Sequence, residues 1–101
     1  MIKVSNGDRD NKALTAADLV GEYDVIMVAG EKRTNEVMTF TDSNLTDTRD
    51  GAKYISCNYE IVSGHLLKAA DISKEFYIYR NGSVLMLIEK DEGYVWELIA
   101  K

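Results

Sequence analysis

The chain of 101 residues has no proline, one cysteine and one histidine, and each scarcity excludes something. Cys57 has no second cysteine to pair with, so no intramolecular disulfide forms. A zinc site needs three or four nitrogen, sulfur or oxygen ligands, which Cys57 and His65 alone do not supply. Cys57 alternates with Ile55 and Tyr59 on an apolar face, which reads as a buried, unreactive thiol rather than a Cys–His nucleophile. Basic residues are the minority, 12 against 17 acids, for a net charge of −5. Lys32-Arg33 is the only adjacent basic pair. Such a chain repels phosphate backbones, so no nucleic-acid partner is expected.

No apolar run approaches the ~20 residues that span a bilayer. The opening Met1-Ile2-Lys3-Val4-Ser5-Asn6-Gly7-Asp8 lacks the apolar core of a secretory signal. A cytoplasmic location is the expectation if the chain is complete, and a secreted or lipoprotein-derived one if a leader has been removed. The seven glycines are scattered about one per turn, with no glycine-rich loop leading a strand into a helix to cradle a phosphate. No Gly-x-Ser-x-Gly elbow occurs. Asp42, Asn44, Asp47 and Asp50 crowd together, but the sixth position of a calcium loop counted from Asp42 is Asp47, where glycine is required. They read as turn formers. Asn44-Leu45-Thr46 and Asn81-Gly82-Ser83 match the N-glycosylation acceptor, and both fall where turns already explain them. No catalytic residue, metal or cofactor is expected.

What is present is alternation. After a polar lead-in over residues 1–13, Thr15 and Asp18 frame a capping-box-like start to one helical turn, which Gly21 stops. From Glu22 the apolar period becomes two, and turn residues recur at short intervals. Strands are predicted at about 22–28, 37–41, 45–48, 53–62, 65–68, 75–80, 84–90 and 94–100. Asn81-Gly82 reads as the tightest hairpin. About eight consecutive short strands favour an all-β, mainly antiparallel meander over residues 14–101, preceded by one short helical turn. Closure into a small barrel removes the edges that a chain without proline cannot blunt with that residue.

Leu19-Val20-Gly21-Glu22-Tyr23 sets a helical turn and a Gly-x-aromatic step directly before the first strand. Together with Phe40 and the hairpins running to Tyr94-Val95-Trp96-Glu97-Leu98, this resembles the small bacterial lipocalin-like (calycin) domains. Ser56-Cys57-Asn58 is faintly similar to the Gly-Cys-Asn element of the META/HslJ group. The resemblance covers roughly residues 14–100. It implies a barrel whose bottom is closed by the glycine and the aromatic, with Tyr23 standing where the family usually has Trp.

Two functional expectations follow. The first is a non-enzymatic protein-interaction or inhibitory module, with another protein as partner. Its candidate contacts are Tyr77, Tyr79, Asp47 and Asp50, together with the loops 30–35, 42–51 and 68–74. Tyr77 and Tyr79 share one strand face while Phe76 and Ile78 share the other, so one pair lines the interior and one faces out. The alternative is a carrier of a small apolar ligand, lined by Tyr23, Met27, Phe40, Tyr59, Met86 and Trp96. That role needs a lumen of ~300 Å³ or more.

Overall fold

The computed structural model describes residues 13–101, so all of the expected lead-in except Ala13 lies outside the described residues. A single helical turn, α1 (Ala16–Leu19), opens the fold. The Asp18 carboxylate accepts hydrogen bonds from the Thr15 N–H at 2.8 Å and the Thr15 hydroxyl at 3.1 Å, the predicted capping pair. Gly21 then takes φ +142°, a conformation open to glycine, and starts the first strand.

Ten antiparallel strands follow: β1 (Gly21–Val28), β2 (Glu31–Lys32), β3 (Glu36–Phe40), β4 (Asn44–Arg49), β5 (Ala52–Asn58), β6 (Glu60–Ser63), β7 (Leu66–Ala69), β8 (Lys74–Asn81), β9 (Val84–Glu89) and β10 (Val95–Ala100). Their order is β5-β4-β3-β1-β10-β9-β8-β7-β6, with β2 added to β1. The sheet ends on two strands that are neighbours in sequence. The predicted strand 53–62 bends at Tyr59, so its first half pairs with β4 and its second with β7. This bend brings the meander round into a nearly closed barrel. A 3-10 turn (Ala70–Ile72) packs against β5 beside the remaining gap, where the Asp71 carboxylate accepts the Asn58 N–H at 2.8 Å.

The hairpins follow turn chemistry. Asp50 and Gly51 both have positive φ (52° and 82°), as a two-residue type I′ loop requires. The β8–β9 loop is Gly82-Ser83 rather than Asn81-Gly82, because Asn81 still pairs with Val84 and only Gly82 carries positive φ. The core lies inside the barrel, where Leu67, Ile78, Leu85 and Leu98 are fully buried. Leu14, Leu19, Tyr23 and Arg80 close the end beneath α1. The Tyr23 hydroxyl donates to the Leu19 carbonyl at 2.9 Å, and Arg80 Nη2 reaches the Asp18 carbonyl and the Tyr23 hydroxyl, both at 2.8 Å.

Candidate functional site

The residues expected to line a lumen divide between two faces. Tyr23, Phe40, Tyr59 and Trp96 point inward and are buried. Their rings pack edge to face, Tyr23 on Phe40 and Phe40 on Tyr59, each pair with centroids 5.6 Å apart. The Tyr59 hydroxyl donates to the Thr41 carbonyl, and burial pushes its pKa up. Cys57 is buried beside them, and burial likewise raises its thiol pKa. Between Met38, Leu45, Ile55, Ile72 and Trp96 the core leaves an apolar crevice of only about 20 Å³.

Met27 and Met86 lie on the outside, contrary to expectation. A β-bulge between Val25 and Met27 inserts a residue into β1, so Val28 turns inward in place of Met27. Met86 alternates with the buried Leu85 and Leu87. The run Val84–Ile88 is apolar throughout, so periodicity could not tell its two faces apart.

These corrections assemble a surface. Directly opposed residues on neighbouring strands share a face, so the pairings draw rows across the outer wall. One row runs Leu66, Tyr77, Ile88, Val95 across β7, β8, β9 and β10. The next runs Tyr79, Met86, Glu97, Met27 from β8 to β1, with His65 stacked on Tyr79 at 5.6 Å. A third row runs Asn81, Val84, Ile99, Asp24, so its apolar pair Val84 and Ile99 is rimmed by polar side chains on β8 and β1. Most of these side chains are half-buried by one another, while Tyr77 and the neighbouring Tyr94 are 38% and 47% exposed. At a strand spacing of ~4.8 Å and a row spacing of ~6.8 Å, these positions make a patch on the order of 300 Å² in projection. The outer wall of β3, β4 and β5 is different: Thr39, Thr46 and Ser56 face each other there. Apolar side chains are denser on the β7–β10 half; on the other half Val37 lies opposite Thr48, and Tyr54 is exposed on β5.

The opposite end from α1 holds a polar cluster. Glu36 and Asp47, two and zero per cent exposed, face inward from β3 and β4. Arg33 Nη1 lies 3.4 Å from Glu36 Oε1, and Arg49 Nε lies 3.3 Å from Glu36 Oε2. The Arg49 guanidinium also sits 3.6 Å from the centroid of the Tyr54 ring. Burial raises the Asp47 pKa to about 8, with the hydrogen bond and charge of Glu36 adding to the rise and both arginines opposing it. Asp47 therefore keeps its proton at neutral pH, beside a Glu36 that two guanidiniums bracket. Glu89, also buried, accepts from Lys74 Nζ on one oxygen and from Trp96 Nε1 on the other, both at 3.0 Å.

The expected partner contacts scatter accordingly. Tyr77 and Tyr79 belong to the apolar wall, while Phe76 and Ile78 turn inward. Asp50 is exposed in the β4–β5 turn at the arginine-rich end. Asp47 is sealed inside, so it touches no docking protein. Loop 30–35 flanks the Asp50 end, where the Asp50 N–H donates to the Asn35 carbonyl, whereas 68–74 meets β5 at Asn58 and most of 42–51 is strand β4. In the acceptor triplet Asn44-Leu45-Thr46, the Asn44 Nδ2 already donates to the Cys57 carbonyl at 2.9 Å. Sequence reasoning missed the Glu36–Asp47 pair, although the alternations Glu36-Met38-Phe40 and Leu45-Asp47-Arg49 carry its signal. Among the described residues, no group of three His, Cys, Asp or Glu side chains is placed to hold a metal, and no helix is long and apolar enough to cross a membrane. No protein-family model and no curated protein matches the chain.

Proposed function

We propose that the protein is a non-enzymatic binding module that docks another protein on the apolar half of its outer wall. The observation that carries this reading is the asymmetry of that wall. Both halves need β-forming side chains, yet one half sets Thr39, Thr46 and Ser56 in a row with only Val37 and Tyr54 near it, while the other is built of Tyr, Met, Ile and Val. The largest apolar patch on a monomer covers ~300–600 Å² and is often functional. A standard interface covers ~800 Å² per partner, so this wall would form the apolar centre and the neighbouring loops the polar rim.

The carrier role has less support, because the apolar crevice is more than tenfold smaller than the ~300 Å³ a ligand site needs. Kinship with lipocalin-like domains is part of the same proposal, and the closing of the barrel by Gly21, Tyr23 and Arg80 supports it.

The test is differential capture from the source cells with three immobilised proteins: wild type, Tyr77→Glu on the apolar wall, and Ser56→Glu on the hydroxyl wall. Circular dichroism confirms that each is folded. A protein held by wild type and Ser56→Glu but lost from Tyr77→Glu is the expected result. Equal capture by all three would refute the docking wall.

A further inference from the structure

Glu97 is the one acid within the row Tyr79, Met86, Glu97, Met27, and it stands on β10, between β9 and β1. It is half-buried, with Met86 and Met27 as its cross-strand neighbours on either side. Some surface carboxylates are paired, Glu75 with Lys90 at 3.2 Å and Glu22 with Lys101 at 3.9 Å, while Asp24, opposite Ile99 at the rim of the wall, is exposed to water. Glu97 has no ion pair or hydrogen bond to any described side chain. A partner that covered this row with apolar groups alone would strip water from an unpaired carboxylate and gain nothing to replace it.

Resting on the reading above, we infer that the docking partner is a protein presenting a lysine or arginine inside an apolar surface, and that Glu97 receives this cation. The net charge of −5 favours the approach of such a partner at long range. A second copy of the chain fits the wall poorly. A two-fold axis crossing Glu97 sets two carboxylates face to face. An axis shifted one strand, through Met27, brings Glu97 opposite Lys32 of the other copy, since Lys32 pairs beside Met27 on β2. That arrangement leaves Met86, Tyr79 and Tyr77 uncovered, because nothing apolar lies beyond Lys32 to meet them. An axis through Met86 sets Glu97 against Tyr79, where the carboxylate again meets no cation. The cation therefore comes from a different protein.

The experiment titrates the ¹⁵N-labelled chain with butylguanidinium and, separately, with its neutral isostere butylurea, reading amide shifts for wild type, Glu97→Gln and Tyr77→Glu. The expected result is saturable movement of the Met27, Met86 and Glu97 signals, at least fivefold tighter for the cation. Glu97→Gln should erase that preference while leaving butylurea binding unchanged, and Tyr77→Glu should weaken both probes. Equal affinity of the two probes for the wall, or a preference that survives Glu97→Gln, overturns the cation assignment and leaves the docking wall standing. Shifts confined to other faces overturn both. Sedimentation of the same proteins supplies the remaining arm: self-association strengthened by Glu97→Gln would identify the occupant as a second copy and overturn the inference.

Discussion

Asp47→Asn should flatten the pH dependence of stability. In the folded chain the Asp47 pKa is raised from 3.8 to about 8, first by burial and then by Glu36, against the pull of Arg49 and Arg33. The unfolded chain releases that proton near pH 3.8, so between about pH 4 and pH 8 the folded state holds one proton more. Stability from this group is therefore complete below the unfolded pKa and is lost as the pH rises to the folded one. The slope is up to about 1.4 kcal/mol per pH unit. From pH 5 to pH 7 the loss is on the order of 2–3 kcal/mol. Asparagine keeps the shape and still donates to Glu36, but has no proton to lose. Urea unfolding, followed by the fluorescence of the buried Trp96, reads the effect. With a slope of about 1–1.5 kcal/mol per molar urea, the wild-type midpoint should fall by roughly 2 M relative to the variant over this range. Comparing the two proteins cancels every titration they share. Midpoints that run parallel from pH 5 to pH 8 would refute the account of Asp47 as protonated beside Glu36.

Three further changes test the scaffold. Gly64→Ala should cost about 1–3 kcal/mol by chemical denaturation, because a methyl there would lie 2.9 Å from the Ala13 Cα, with the Leu14 N–H bonded to the Gly64 carbonyl; an unchanged midpoint would show that the N-terminal segment does not seal this turn. Ala29 holds φ 52° before Gly30 at 84°, so Ala29→Asn should raise the melting temperature through a gain of about 0.5–1 kcal/mol, since asparagine tolerates the left-handed conformation that strains alanine. Arg80→Met keeps the aliphatic stem but loses the bonds to the Asp18 carbonyl and the Tyr23 hydroxyl, and should lower stability by about 1–3 kcal/mol with faster hydrogen exchange in α1.

Much of the fold was legible because its signals are local. Period-two alternation, the Asp50-Gly51 turn and the Thr15–Asp18 cap each act over a few residues. In 53–62 the alternation set Ile55, Cys57 and Tyr59 on one apolar face, and Cys57 and Tyr59 are buried. It did not reveal the bend at Tyr59, because sharing one strand between two edges depends on partners far away in sequence. The bulge in β1 was equally silent: Tyr23, Val25 and Met27 alternate cleanly, and only the pairing with β10 turns Val28 inward. Asp47 was read as surface because lone carboxylates are rarely buried. Its burial depends on Glu36 and Arg49, which only the β3–β4 register sets beside it. The apolar wall emerged for the same reason, since its rows exist only once the register is known.

The central claim is that the β7–β10 and β1 wall is where a partner docks. Oxidative footprinting of the methionines, with the captured partner bound and removed, tests it most directly. Met27 and Met86 stand on that wall and Met38 is buried in the core. The account predicts that binding protects Met27 and Met86 while Met38 stays equally slow in both states. Unchanged oxidation of Met27 and Met86 in the complex would contradict it.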